Sequence, residues 1–305
     1  MSLSQRIHMY VNSPFNYTGN KFKLLPQLVA HLPESTDNMT LVDLFSGSGT
    51  VSFNLAGMFK NVVSNEYIFD IQRIQKVLST GSDTDFARLI ECLKMFSSSD
   101  YDRYQILRDE YNSLLTSDFT GSGEYINDKI TFLNYKAYRL YGLMLSCTNN
   151  MMRFNRHGLF NQTCGKRMYN ESTEKKLTEW RNLLKTIRNV DIIWGDFETV
   201  SANSMRVQNM SDVFFYADPP YSNTEAGYNA FWKPNDDERL FKFISDFSDA
   251  KWMISGTDIH GDERCKLLDL LSESGKFKMI ELEYDYKKVA KKKSTETHEV
   301  IMVNY

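Results

Sequence analysis

Histidine and cysteine are scarce in this chain, at five and four residues of 305. The thiols, Cys92, Cys147, Cys164 and Cys265, form no Cys-x-x-Cys pair, and the histidines are scattered. That spacing argues against a disulfide framework and a zinc site, so no metal is expected. Long apolar runs are missing too: nothing approaches the ~20 residues that span a bilayer. The opening "MSLSQRIHMYVNSPF" lacks the continuous apolar core of a secretory signal, which gives the expectation of a cytoplasmic protein. Internal repeats and low-complexity tracts are absent. What is present, 42% hydrophobic and 25% charged residues, fits a globular protein with one large core or two modest ones. Prolines number six, yet two of them stand side by side.

The formal net charge of −3 hides a segregation. Between residues 150 and 190 stand Arg153, Arg156, Lys166, Arg167, Lys175, Lys176, Arg181, Lys185 and Arg188, against Glu171, Glu174 and Glu179. Lys287, Lys288, Lys291, Lys292 and Lys293 form a second basic block. Local rather than total charge decides whether a phosphate backbone is attracted. Either block alone also reads as a solvated face.

Short runs rich in Val, Ile and Phe predict seven strands, at 40–45, 61–66, 190–195, 212–217, 251–256, 278–286 and 298–305. The first five are nearly continuous in apolar residues, the mark of a parallel sheet covered on both faces. The last two are joined by a polar connection without a helix and pair as an antiparallel hairpin. Residues 76–189 are too long for one crossover. They contain helical patterns at 103–115 and 129–147, separated by a turn-rich loop at 116–128. This reading gives a catalytic domain of residues 1–75 and 190–305, with 76–189 as a mainly helical insertion. The Met and aromatic stripe at 132–152 is read as core of that insertion.

Two places carry chemistry. "DLFSGSGTVSFNLA" (43–56) follows the first strand and opens a helix; Gly47 and Gly49 permit a sharp turn and a close backbone approach. Glu66 ends the second strand 19 residues after Gly47, a spacing suited to a carboxylate on ribose hydroxyls. Alone, this pattern fits NAD, FAD or S-adenosylmethionine, or a plain turn. The third glycine of the dinucleotide fingerprint is replaced by Ser52, and no second phosphate-cradling loop appears, which favours S-adenosylmethionine. Its ammonium asks for a carboxylate such as Asp43 or Asp218. The second place is "YADPPY" (216–221), directly after an apolar run. Pro219 and Pro220 end the ladder and hold the following residues rigidly. A fixed acceptor beside the aromatic Tyr221 suits a flat ring that carries an NH2 group.

Three motifs in order, "NYTGNKFKLLPQL" (16–28), "DLFSGSGTV" (43–51) and "DPPY" (218–221), resemble the Dam-like DNA adenine-N6 methyltransferases of the α group. The resemblance covers nearly the whole chain. It implies a Rossmann-like α/β fold with a mixed seven-stranded sheet, the last strand antiparallel, helices on both faces, and an inserted target-recognition domain. It also implies methyl transfer from S-adenosylmethionine to the N6 of adenine in double-stranded DNA, by base flipping and direct displacement. Tyr17, Lys21, Phe45, Gly47, Gly49 and Glu66 would then serve the cofactor, with Asp43 as a further carboxylate, and Asp218 would serve both cofactor and target. Asp196 and Phe197, in "WGDFETV", resemble the segment beside the cofactor adenine. Asp218 and the Pro219 carbonyl would accept both N–H groups of the amine, making nitrogen a better nucleophile, in the setting of Pro220 and with Tyr221 stacked on the base.

Within the insertion, "NNMMRFNRHGLFNQTCGKR" (149–167) is similar to the family's DNA-reading loop. Asn149 and Arg153 become candidates for base edges, with Asn155, Arg156, Lys166 and Arg167 as further DNA contacts. His157 is read as a groove or surface residue and Trp232 as packing or loop closure. The implied partners are duplex DNA and, in some systems, a cognate restriction endonuclease; a monomer or weak dimer is expected. Family members often carry Trp and Gly where this chain has Tyr17 and Asn20, a basic residue where it has Asn16, and Asp where it has Glu66. Aromatic and acidic character are kept, while the target sequence does not transfer. The competing readings are a methyltransferase on RNA or a protein amide, a non-catalytic DNA-binding relative, and an NAD-dependent oxidoreductase.

Overall fold

The protein is described from a computed structural model that covers residues 10–15, 19–116, 126–200, 205, 207, 209–220, 232–233, 235–260, 263–283 and 297–305. The second basic block, 287–293, and most of the loop at 116–128 lie outside the described residues. A 3-10 turn at Lys21–Leu24 leads into helix α1 (Leu25–Ala30), followed by β1 (Thr40–Asp43), α2 (Thr50–Leu55), β2 (Asn61–Glu66) and α3 (Phe69–Ser79). Next come the helices α4 (Asp83–Met95), α5 (Tyr101–Thr116), α6 (Ile126–Ser146) and α7 (Glu171–Thr186). The sheet resumes with β3 (Val190–Trp194) and β4 (Val213–Ala217), then α8 (Asp236–Asp246), β5 (Lys251–His260), β6 (Glu263–Arg264), α9 (Lys266–Glu273), β7 (Lys278–Leu282) and β8 (Thr297–Val303).

These strands make one mixed sheet in the order β3-β2-β1-β4-β5-β8-β7. The first five run parallel, and β8 lies antiparallel between β5 and β7. The expected seven strands and the reversed last strand are therefore present, in a Rossmann-like arrangement. Two details differ from the sequence reading. The fifth strand runs on to His260 and pairs with the two-residue β6, making an eighth strand where the sequence shows no apolar run. In β3 only Ile192 is buried, because this strand forms an edge of the sheet and Trp194 stays 56% exposed.

Side chains alternate across the pleat, so each strand feeds two cores. Val42, Val63, Phe215, Trp252, Ile254 and Val300 pack under α8 and α9 with Leu240, Phe243 and Leu268. Their neighbours Leu41, Val62, Phe214, Met253 and Ile301 pack on the other face with Leu25, Leu28 and Leu55 from α1 and α2. Phe215 stacks on Trp252 with centroids 4.1 Å apart and planes at 13°, a contact worth about 0.5–1.5 kcal/mol beyond its burial.

The helices α4–α7 do not form a separate core. They share one with α3 and with Phe15 and Phe53, through residues such as Ile74, Leu93, Tyr104, Tyr141, Met144 and Trp180. Most of the stripe at 132–152 is buried in that core, with Tyr135 exposed, and α3 runs continuously through residues 75 and 76. Arg181 departs from the surface role that the charge pattern implies. Only 4% exposed, its guanidinium donates to the carbonyls of Val77, Leu78, Gly81 and Ser82 and to Asp83 Oδ1. It thereby satisfies the end of α3, where intrahelical donors run out. Arg181→Ala is expected to cost at least about 2 kcal/mol, because several buried carbonyls lose a charged donor. Urea unfolding measures that loss.

Candidate active site

In an open sheet of this kind, ligands bind outside the carboxyl ends of the strands where the connections diverge. Here that point lies between β1 and β4, and the motif residues gather around it. β1 delivers Asp43, which is 1% exposed, and the chain then turns through residues 44–49. Leu44 N–H donates to the Tyr216 carbonyl at 3.0 Å, Ser46 N–H to the Asn65 carbonyl at 2.9 Å, and Gly49 N–H to the Ser46 carbonyl at 2.7 Å. Gly49 has φ +75°, and a Cβ there would sit 2.2 Å from the Phe53 ring. Only glycine meets both conditions. Gln75 Nε2 donates to the Gly47 carbonyl at 2.7 Å, and Ser13 Oγ to the Ser48 carbonyl at 3.0 Å, so α3 and the amino-terminal segment both brace the loop.

Three carboxylates converge on this loop. Asp43 Oδ2 accepts from Ser52 Oγ at 2.5 Å. Burial pushes its carboxyl up to about 7, against the Ser52 hydrogen bond and helped by the charge of Asp218. Glu66 Oε1 accepts from Ile68 N–H at 2.7 Å, and burial, with a contribution from Asp43, pushes it up to about 8. Asp218, at the end of β4, is held differently. Lys21 Nζ, 4% exposed, lies 2.8 Å from Asp218 Oδ2 and donates to the Gly19 carbonyl at 3.1 Å. Ser255 Oγ donates to Asp218 Oδ1 at 2.9 Å. Pro219 is buried and Pro220 half-buried.

An aromatic wall closes one side. Phe45 lies 5.6 Å from Phe197 and 5.7 Å from Trp232 between ring centroids. Trp232 Nε1 donates to Asp237 Oδ1, so this indole packs against the wall and ties it to α8. Asp196 caps the turn that carries Phe197 by accepting from Glu198 N–H, and Arg239 donates to it at 3.0 Å. Lys21, Asp43, Phe45, Gly47, Gly49, Glu66, Asp196, Phe197, Asp218, Pro219 and Pro220 thus all lie at one end of the sheet. Tyr17, Tyr221 and Asn16 lie outside the described residues.

The acceptor surplus is the chemical signature of this end. Among the described residues, Asp43 Oδ1, Ser46 Oγ, Asn65 Oδ1 and Gln75 Oε1 are buried and find no hydrogen-bond partner. Unmet buried polar atoms cost about 1–3 kcal/mol each, so such a cluster points to a ligand that supplies donors. Carboxyl and amide oxygens accept from an ammonium and from hydroxyl groups, whereas a pyrophosphate asks for donors. The residues therefore fit S-adenosylmethionine better than a dinucleotide. Among the described residues, no three His, Cys, Asp or Glu side chains group as metal ligands.

Sequence reasoning missed Asn65, Gln75, Ser52 and Ser255. Asn65 Nδ2 donates to the Leu44 and Gly195 carbonyls at 3.0 and 3.1 Å, lacing the loops after β1 and β3 together. The available signal was a polar residue beyond an apolar run within a strand, Val62 and Val63 for Asn65 and Trp252 to Ile254 for Ser255.

The remaining candidates form a second group on the loop between α6 and α7. Cys147 faces Cys164 and Phe154 faces Phe160 in single antiparallel bridges, so the segment folds back on itself. Asn112 fastens it through two hydrogen bonds to the Phe160 backbone. Asn149 (φ 58°), Arg153, Arg156, Lys166 and Arg167 are exposed. Arg153 donates to the side chain and carbonyl of Asn161, and Arg156 Nε lies 3.1 Å from His157 Nε2. Asn155 turns inward: its Oδ1 accepts from His157 and Leu159 N–H and shapes the tip. Among the described residues, no helix is long and apolar enough to cross a membrane.

The chain belongs to the D12 class N6 adenine-specific DNA methyltransferase family, whose model matches residues 17–288. It is similar to the modification methylase LlaI of Lactococcus lactis subsp. lactis, at 26% identity over 266 residues, covering 84% of this chain and 38% of that protein. It is also similar to the type II methyltransferase M.FokI of Planomicrobium okeanokoites, at 24% identity over 311 residues, covering 98% and 44%. The type II methyltransferase M.MjaIII of Methanocaldococcus jannaschii is 26% identical over 270 residues, covering 82% and 85%. The chain spans less than half the length of the first two relatives.

The buried carboxyls make stability depend on pH. Asp43 and Glu66 have ordinary values of 3.8 and 4.5 when unfolded and about 7 and about 8 when folded. Across that window the folded state binds more protons, so the stabilisation is full below about pH 4 and is lost as pH rises through the folded values. Asp43→Asn removes one of the two titrations. Urea unfolding of the ligand-free protein between about pH 5 and about pH 8 is expected to show a shallower decline in the variant. Equal slopes in both proteins contradict a raised Asp43.

Proposed function

We propose that this chain transfers a methyl group from S-adenosylmethionine to the N6 of adenine in double-stranded DNA. The observation that carries the reading is the Asp218 carboxylate, gripped by Lys21 and Ser255 at the mouth of the β1–β4 divide and backed by two prolines. Asp218 and the Pro219 carbonyl accept from the two N–H groups of an adenine amine and so localise its lone pair. Duplex stacking hides that amine, so the base has to be extruded at a cost of a few kcal/mol. Tyr221 is assigned the stacking face. S-adenosylmethionine, when bound, supplies an electrophilic methyl group on a sulfonium. Asp43, Glu66 and the Gly47–Gly49 turn hold its polar groups, while Lys21, Phe45, Asp196 and Phe197 shape the pocket. Positioning does most of the work, and no covalent intermediate on the chain is needed.

We assign residues 76–189 to target recognition and residues 1–75 with 190–305 to catalysis. Asn149 and Arg153 read base edges, Arg156, Lys166 and Arg167 contact phosphates or bases, and Asn155 is a further DNA contact that also shapes the tip of the loop. The protein acts in the cytoplasm of a bacterial or phage-infected cell as a monomer or weak dimer. A cognate restriction endonuclease is the partner in keeping with relatives named modification methylases.

Expression in a host free of adenine methylation, followed by sequencing for N6-methyladenine, tests activity and target together. Methyl transfer to RNA or to a protein amide in place of duplex DNA overturns the reading. Asp218→Ala is expected to abolish transfer and to leave nonspecific duplex binding intact, as read by labelled-methyl incorporation and gel shift. Arg153→Ala is expected to blur site preference by about 1–3 kcal/mol, seen as methylation at near-cognate sites. Unchanged discrimination in that variant removes Arg153 from base reading.

A further inference from the structure

The sequence gives Ser255 no role, and the assignments above place it only as a contact of Asp218. It stands in β5 and is 1% exposed. The β4–β5 register pairs Tyr216 with Met253 and Ala217 with Ile254, so Ser255 is opposite Asp218 one step beyond the last pair. Its hydroxyl is 2.9 Å from Asp218 Oδ1, 2.9 Å from the Tyr216 hydroxyl and 3.5 Å from the Ala217 carbonyl. An ionised carboxylate only accepts, and serine has one proton to give. The shorter contact takes it, so Ser255 donates to Asp218 and accepts from Tyr216. Burial keeps the Tyr216 phenol far above its ordinary value, which leaves it a donor. The hydrogen bonds therefore run in one direction, from Tyr216 to Ser255 to Asp218.

We propose that Ser255 is a positioning residue for methyl transfer, setting the plane of the Asp218 carboxylate with Tyr216 as its support. The terminal torsion of an aspartate is soft, and donors on both oxygens restrain it more than a donor on one. Lys21 holds Oδ2 from the amino-terminal motif and Ser255 holds Oδ1 from β5. Two donors on different oxygens, from two separate elements, fix both the place and the tilt of the acceptor. Transfer from a poor nucleophile is sensitive to such tilt, because misplacement by a fraction of an ångström costs rate without costing affinity.

The proposal rests on Asp218 being the acceptor of the adenine amine, and the test separates the two claims. Wild type, Ser255→Ala, Ser255→Thr and Tyr216→Phe are compared in single-turnover methyl transfer to the duplex target found by sequencing. Titration calorimetry gives S-adenosylmethionine affinity, gel shift gives duplex affinity, and thermal melting checks the fold. Loss of a hydrogen bond to a charged group predicts a rate about ten- to a hundredfold lower for Ser255→Ala. Both affinities are expected to stay within about twofold. Ser255→Thr, which keeps the hydroxyl, is expected to recover most of the rate, and Tyr216→Phe to show a smaller fall. A Ser255→Ala enzyme as fast as wild type overturns the proposal. Equal slowing in the alanine and threonine variants at unchanged melting temperature does so too, and so does slowing matched by lost affinity. A wild-type protein that transfers no methyl group to DNA instead refutes the reading of Asp218 itself.

Discussion

The ion pair between Lys21 and Asp218 is the contact on which the arrangement of this site depends. It ties a residue ahead of the first strand to the end of the fourth, across the divide where the chain has to receive its ligands. Without an ammonium at that spot, three carboxylates would crowd the carboxyl ends of parallel strands. Asp43 and Glu66 already respond to the crowding: burial outweighs every hydrogen bond they accept and favours their neutral forms. A cationic, donor-rich ligand favours their charged forms. Affinity and local instability are then two aspects of one arrangement.

The rest of the molecule supports this polar end with apolar mass. The Phe215–Trp252 stack and the leucines of α8 and α9 lie beneath the same strands that carry Asp43 and Asp218 at their tips. Among the described residues, unpartnered polar atoms recur in the turn after β1 and its braces, at Ser46, Asn65 and Gln75. Conflict between burial and polarity concentrates where a protein binds and reacts, and the surrounding packing makes it tolerable.

Much of this was legible in the chain. The apolar runs at 40–45, 61–66 and 212–217 became buried strands because period and composition agree there. Gly49 was readable because a left-handed turn pressed against a phenylalanine admits no other residue. Other features depend on partners far away in sequence. Nothing local in "KWMISG" tells that Ser255 meets a carboxylate 37 residues earlier. Arg181 looked like one more surface cation, and its burial is set by the end of a helix about a hundred residues before it. Asn155 also shapes the tip of its loop, a place set by backbone groups of His157 and Leu159 that the resemblance alone does not reveal. The hairpin of β7 and β8 was evident, yet its insertion beside β5 was not, because pairing within a hairpin does not say which strand is its outer neighbour.

That insertion has a consequence for how the chain is made. The β5 edge finds its partner only in residues 297–303, some forty positions later. On the ribosome, the parallel half of the sheet can assemble early, but β5 keeps an unpaired row of amides and carbonyls until β8 has emerged. A nascent or clipped polypeptide lacking that last strand offers a bare edge to any other strand nearby, the common route to aggregation in sheet proteins.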